Sequence, residues 1–320
     1  MKAIVFENLH TLPEFKDIEI LPKDGEVEVN LIAAALNHRD IWITKGLYPG
    51  LVPGTIMGAD GVGFYQGRRV VINPGIAWGD NERYQAPSFR VLGVPDHGTF
   101  AEKIYIHPAE LFDAPSHLTN EEAAALPVAG VTAYRALFSR ARLQKGEKVL
   151  VTGIGGGVAL MAGLMAKAAG AEVYVTTGRD EKLKTALAMG FDGGVNYNHE
   201  NWVEDLSHQC KQIDVIIDSA GGDSIAKLMK LMNYGGRIVL YGGALGKLGG
   251  VNPQVLFWKQ LDLMGSTMGS PQDFQNMLDF VEKHRIQPPV DSVFDFEAYG
   301  NAFGRLAAGD QMGKVVLKIA

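Results

Sequence analysis

The chain has 320 residues, more than a single hydrophobic core usually serves, so two domains are the first expectation. Its 47% hydrophobic and 21% charged content is that of an ordinary soluble globular protein. With 36 acidic against 30 basic residues the net charge is -6, and no local basic stripe offsets it, which argues against nucleic-acid and anionic-membrane partners.

No apolar run is long enough to span a bilayer. The opening "MKAIVFENLHTL" has too short an apolar core and no cleavage site for a secretory signal, so a cytoplasmic location is expected. It reads as a first strand, with Ala3 and Val5 alternating against Lys2 and Ile4. The runs "GEVEVNLIAAALN", "GRRVVINP" and "GTFAEKIYIH" read as further strands, half-buried and antiparallel, separated by Gly and Pro turns. A loop over residues 74 to 92 interrupts this β-rich half, and loops that long are usually functional or inherited insertions. From "LTNEEAAALPVAGVTAYRALFSRARL" the pattern turns helical, with Thr119 as N-cap and Glu122 completing a capping box.

Strand and helix then alternate. "KVLVTGI", "EVYVTT", "GVNY", "IDVIIDSAG", "RIVLYGG" and "LDLMGSTMG" are near-continuous apolar strands, with helical segments between the earlier ones. Strands apolar on both faces predict a parallel, doubly wound α/β sheet covered by helices. The tail "GKVVLKIA" alternates again, so the chain is expected to return to its first domain. The domains predicted are residues 1–129 with 269–320, and residues 130–268.

"KVLVTGIGGGVALMAGLMAKAAGA" is a buried strand, a glycine turn and a helix. Gly153, Gly155, Gly156 and Gly157, with Val158 at the helix start, let backbone amides approach a pyrophosphate. A glycine cluster alone is weak evidence; its place between strand and helix gives it weight. Ala159 stands where the fingerprint's last glycine packs helix on strand. At the tip of the second strand an NAD enzyme places a carboxylate on the ribose. Here Thr177, Gly178 and Arg179 stand there, with Lys182 one turn on, a set suited to a 2′-phosphate. The expected cofactor is NADP(H).

"NHRDIWITKGLYPGLVPGTIMGAD", residues 37 to 60, gathers charged and aromatic groups in a loop-rich segment and raises the question of a metal. Cys210 is the one cysteine, which excludes any site needing two thiolates from this chain, and the eight histidines form no i, i+3 or i, i+4 pair.

Taken in order, "GLYPG", "PGTIMGADGVG", "HGTFAEKI", "AALPVAGVTAYRAL", the glycine turn, "DVIIDSAGG" and "GKVVL" resemble the medium-chain dehydrogenase/reductase superfamily over essentially the whole chain. The resemblance is to its zinc-free quinone oxidoreductase-like and zinc-type alcohol dehydrogenase-like members. It implies a Rossmann domain over residues 130–268 and a GroES-like catalytic domain over the remainder. Where zinc-dependent relatives hold a catalytic metal, the first ligand falls on Asn37, the Gly-His-Glu triplet becomes Gly58-Ala59-Asp60, and the last ligand falls near Val128. Loop 74–92 matches a second, four-cysteine zinc lobe but contains no cysteine; Trp78, Tyr84 and Phe89 are expected to hold it. No zinc is expected in either place. Arg39 replaces a Ser or Thr proton relay and is expected to pair with Asp40 or Asp60, both read as structural.

By the same resemblance Tyr48 and Asn37 are the catalytic candidates: a phenol and an amide able to hold or protonate a developing enolate. Thr132 is placed against the nicotinamide, Gly242, Gly243, Ser266 and Met268 along the cofactor, Lys314 near the pyrophosphate, and Asn196 and Tyr197 on the adenosine side. The expected activity is NADPH-dependent reduction of an activated double bond or quinone, with aldehydes and ketones second. Alternatives are a zinc-independent carbonyl reductase or alcohol dehydrogenase, and a non-catalytic NADPH-binding protein. A homodimer through the sheet edge at "LDLMGSTMG" is also implied.

Overall fold

The structure is a computed structural model that describes residues 1–320. The chain divides into two compact units, Met1–Val131 with Gly269–Ala320, and Thr132–Met268.

The first unit is built on a seven-stranded sheet. Its central strand Val27–Ala35 pairs antiparallel with Asp60–Tyr65, with Lys103–Ile106 and with Lys314–Lys318. The tail therefore returns to this unit, and Lys314–Lys318 also pairs in parallel with Val290–Asp295. The central strand alternates exposed and buried side chains at its start, then buries Ala33, Ala34 and Ala35 completely. Three consecutive small side chains let neighbouring elements approach on both faces, and this closely packed end leads directly into Asn37.

A three-stranded sheet joins Glu14–Asp17, Lys2–Phe6 and Thr55–Ile56. Here the expected alternation fails: Ala3, Ile4, Val5 and Phe6 are all buried. Ile4 and Phe6 pack into one apolar cluster and Ala3 and Val5 into another, so neither face is left to solvent. In loop 74–92 the short strands Gly75–Ile76 and Arg90–Val91 pair, and the Trp78 and Phe89 rings meet edge to face at 5.2 Å. Tyr84 does not join them; it is 60% exposed. Thr119 caps Asn120–Ala125 through the reciprocal bonds of a capping box with Glu122.

The second unit is a six-stranded, all-parallel sheet. In chain order its strands are Lys148–Val151, Glu172–Thr177, Gly193–Asn196, Ile213–Asp218, Met232–Leu240 and Asp262–Gly265. Their spatial order runs third, second, first, fourth, fifth, sixth. This is the Rossmann arrangement, and it reverses direction between Lys148–Val151 and Ile213–Asp218, where α/β sheets open a ligand crevice. Val149, Leu150, Val151, Val215, Ile216 and Ile217 are fully buried, as strands covered on both faces must be.

Helix Gly157–Ala168 packs by a route the glycine fingerprint did not indicate. A Cβ at Gly163 would lie 2.7 Å from the Phe191 ring, so Gly163, one turn beyond Ala159, admits the close approach. Gly163→Val is expected to cost about 1–3 kcal/mol through overpacking, read as a lowered Tm, with the fold retained.

Candidate functional site

Two groups of residues are candidates for the chemistry, one in each unit. In the second unit, strand Lys148–Val151 ends in Thr152 and the glycine turn. Gly153 has φ +66°, a backbone conformation that favours glycine, and turns the chain out of the strand. The turn is tied to the neighbouring strand by the Ile154 amide, which donates to the Thr176 carbonyl at 2.9 Å. Gly156 is the N-cap of Gly157–Ala168 and supplies no side-chain cap, and the helix's first turn has no acidic residue. A Cβ built on Gly156 would have its nearest neighbour, the Gly153 carbonyl oxygen, 3.8 Å away. Uncapped N–H groups, a positive helix end and open space at the glycines fit a dinucleotide pyrophosphate.

The crevice wall opposite is fixed by a buried carboxylate. Asp218, fully buried at the end of Ile213–Asp218, accepts from the Thr152 hydroxyl at 2.6 Å and from the Gly221 amide at 2.8 Å. A Cβ at Gly242 would lie 2.8 Å from the Ser219 carbonyl oxygen, so the fifth strand's exit needs glycine there; Gly243 has nothing within 4 Å. Thr152 and Asp218 lie inside the stretches "KVLVTGI" and "DVIIDSAGG", but neither is assigned a role there because their pairing joins two strands far apart in sequence. Their signal was polarity at the ends of otherwise apolar strands.

The tip of the second strand gathers Thr177, Gly178 and Tyr197. The Tyr197 amide donates to the Thr177 carbonyl, 2.8 Å, and a Cβ at Gly178 would meet the Tyr197 hydroxyl at 2.8 Å. Arg179 is the N-cap of Asp180–Ala188, with Lys182 on that helix. The Asp180 carboxylate accepts from the Asn196 amide at 2.7 Å and lies 3.6 Å from His199 Nε2. At the other end of the unit, the buried Thr132 hydroxyl points to the Met268 sulfur at 3.8 Å, and Met268 has φ +44°. The Ser266 amide donates to the Leu240 carbonyl, 2.8 Å.

In the first unit, sheet register assembles the second group. Val316 lies opposite Ala35, so the same antiparallel ladder carries Lys314 towards Asn37, and Asp60 lies opposite Ala35 on the other side. Gly313 has φ +116° and delivers Lys314; a Cβ there would strike the Pro289 carbonyl oxygen at 2.4 Å. The Lys314 Nζ donates to Asn37 Oδ1 at 2.6 Å and to Asp60 Oδ2 at 2.7 Å. Asn37 Nδ2 donates to the same Asp60 oxygen at 2.9 Å, and the Val128 amide donates to Asp60 Oδ1 at 2.7 Å. Asp60 is completely buried and the Lys314 side chain is 6% exposed.

Asn37, Asp60 and Val128 thus meet in one hydrogen-bonded cluster that includes the Lys314 ammonium, while Ala59, at the place of the triplet's histidine, offers only a methyl. An amide, a paired carboxylate and a backbone N–H are a poor donor set for zinc, which takes thiolate, imidazole or free carboxylate. No group of three or more His, Cys, Asp or Glu side chains able to hold a metal occurs in the structure. The resemblance puts Lys314 near the pyrophosphate. Its ammonium is engaged with Asn37 and Asp60 inside the first unit.

Arg39 also departs from expectation. It forms no ion pair with Asp60, which is taken by Lys314; its Nη1 donates to the Leu92 carbonyl at 2.6 Å. Its guanidinium carbon lies 4.6 Å from the centre of the Tyr48 ring, a cation–π contact that fixes the half-buried phenol against the core. Asp40 is fully buried and accepts from the Asn37 amide N–H at 2.7 Å. Burial pushes its carboxyl up to about 6, against the opposing influence of Arg39 and of the Asn37 N–H.

Because the folded state holds the Asp40 proton to higher pH than the unfolded chain, stability contributed below pH 4 is lost as pH rises towards 6. Asp40→Asn is therefore expected to gain Tm relative to the parent as pH goes from about 4 to about 7, measured by thermal unfolding across that range. Lys314→Met leaves Asp60 buried without its counter-charge and is expected to cost about 3–5 kcal/mol, most of which Lys314→Met with Asp60→Asn restores. Chemical denaturation of both variants reads the difference.

The comparisons with known proteins agree with this architecture. Residues 23–116 match the alcohol dehydrogenase GroES-like domain and residues 157–283 the zinc-binding dehydrogenase family. A zinc-type alcohol dehydrogenase-like protein, YogA, of Leptosphaeria maculans is 34% identical, over 93% of this chain and 92% of its own. A solved NAD-dependent alcohol dehydrogenase is 35% identical with TM-score 0.93, covering 100% of both chains. The quinone oxidoreductase of Thermus thermophilus, solved also as its complex with NADPH, is 28% identical with TM-score 0.84, again covering 100% of both. With a GroES-like unit, a six-stranded Rossmann unit and relatives of this likeness along nearly its full length, the chain belongs to the medium-chain dehydrogenase/reductase superfamily of oxidoreductases.

Proposed function

We propose that this oxidoreductase uses NADPH to reduce an activated carbon–carbon double bond or a quinone, without zinc. The observation that carries the reading is the donor set in the first unit. The surroundings of Asn37 and Asp60 are closed by N–H donors rather than by metal ligands. In an enone or quinone, charge develops on a remote oxygen that hydrogen bonds alone can hold, whereas an unactivated ketone needs stronger polarisation. When bound, NADPH supplies the hydride.

The chain's own residues hold the cofactor and the developing charge. Amides of the turn at Gly153, Gly155, Gly156, Gly157 and Val158 receive the pyrophosphate. Thr177, Gly178, Arg179 and Lys182 take the 2′-phosphate, Tyr197 borders the adenosine, and Gly242, Gly243, Ser266, Met268 and Thr132 line the remainder. Asn37 has one amide N–H beyond the one given to Asp60, and it orients the substrate oxygen. Tyr48, fixed under Arg39, supplies the proton that completes reduction. The open edge strand Asp262–Gly265, with exposed Phe257 and Trp258 preceding it, supports a homodimer.

A second reading is an NAD(P)-dependent alcohol dehydrogenase or carbonyl reductase. It is favoured by the likeness to the solved NAD-dependent alcohol dehydrogenase, and the Asp180 carboxylate just beyond the strand tip would suit NAD as its cofactor. NADPH oxidation measured over a panel of quinones, enones and aldehydes separates the two, and tight NADPH binding with no turnover would mark a non-catalytic binder. Arg179→Ala is expected to weaken NADPH binding about 10- to 100-fold and leave NADH binding nearly unchanged, read as Kd by titration. Tyr48→Phe is expected to lower kcat on a good enone about 100-fold with little change in KM. Undiminished turnover removes Tyr48 from the reaction.

A further inference from the structure

We infer that Lys314 is a resident cation standing in the place of a divalent metal ion, and that its ammonium keeps metal out of this site. The inference concerns the first unit alone and holds whichever substrate the enzyme reduces.

The placement is architectural. Three strand ends converge because of register: Asn37 follows Val27–Ala35, Asp60 opens Asp60–Tyr65, and Lys314 opens Lys314–Lys318. Only a glycine at 313 lets the last strand start close enough, since any Cβ would collide with the Pro289 carbonyl. The Lys314 amide then donates to that same carbonyl at 2.9 Å, locking the entry of the side chain. The ammonium is thereby held by the framework of the sheet rather than by a mobile loop.

The chemistry is equally closed. Every side-chain oxygen of Asp60 and Asn37 is already engaged. Asp60 Oδ1 accepts from the Val128 amide, Asp60 Oδ2 from Lys314 and Asn37, and Asn37 Oδ1 from Lys314. A divalent ion on these oxygens would sit beside a buried ammonium, and two cations sharing one carboxylate in a water-poor site repel strongly. The single positive charge of Lys314 balances the single negative charge of Asp60, and the neighbouring Asp40 carboxyl has the Arg39 guanidinium beside it, so no net charge remains to attract a second cation. The ammonium also fixes the Asn37 amide by its carbonyl oxygen and so aims the N–H end. One side chain thus fills the metal's place and orients Asn37.

The test is metal uptake. Two chains carry Asn37→Cys and Val128→Cys, which with native Asp60 offer a three-ligand zinc set; one keeps Lys314 and the other adds Lys314→Met. Each is equilibrated with excess Zn²⁺, desalted and analysed for metal, and Co²⁺ loading is followed by its thiolate charge-transfer absorbance. About one zinc per chain is expected without the ammonium, and less than about a tenth of that with it. Lys314→Gln in the same background, uncharged but still a donor to Asp60, carries the test if the methionine chain does not fold. Equal uptake with and without Lys314, uptake by neither, or stoichiometric zinc in the native chain would overturn the inference.

Discussion

The first unit is organised around one buried ion pair. Asp60 is wholly inaccessible, and an ionised carboxylate in such a place is tolerable only when its oxygens are satisfied. Lys314, Asn37 and the Val128 amide do this together, drawing on residues 254, 23 and 68 positions away from Asp60 in sequence. The cluster therefore ties the start of one strand to the end of another, to the last strand of the chain and to the helix that follows the β-rich half. Removing any one partner exposes the others to the cost of an unpaired buried group.

The second unit handles charge without any charged side chain in its turn. It presents amide N–H groups of a helix without a side-chain cap, an arrangement that attracts phosphate. Its rigidity comes from behind. Asp218 accepts from Thr152 and from Gly221, and Gly242 presses against the Ser219 carbonyl, so the crevice walls are set before any cofactor arrives. One unit thus carries a preformed anion cradle and the other a preformed, already neutralised ionic cluster. Both are preorganised, which is what electrostatic catalysis requires.

Around that cluster the local polar groups form a graded series. Asp60 is fully paired; Asp40, one turn into the helix after Asn37, is buried with one oxygen satisfied and the other unpartnered. Arg39 donates once to Leu92 and lays its face on Tyr48, with its Nε and Nη2 buried and unpartnered. Such incompletely satisfied groups concentrate at functional sites, where structure tolerates strain that a plain core would not. This gives the stretch from Asn37 to Asp60 its chemical character in the absence of metal ligands of the usual kind.

The sequence by itself determined the doubly wound sheet, the glycine cradle and the return of the tail. Each rests on local period or on a turn that only glycine can make, and both are written in consecutive residues. It also determined that two thiolates are unavailable, because there is a single cysteine. What it could not determine was where isolated polar residues point. Lys314 read as a cofactor contact and Arg39 as an ion-pair partner; Thr152, Asp218 and Gly163 stood inside motifs without any role of their own. Their partners are fixed by strand register and by helix-on-sheet contact. A one-residue change in register would turn every side chain of a strand to the opposite face. Only the assembled sheet, with Gly313 bringing the last strand against Pro289, decides that an ammonium meets Asp60 and Asn37.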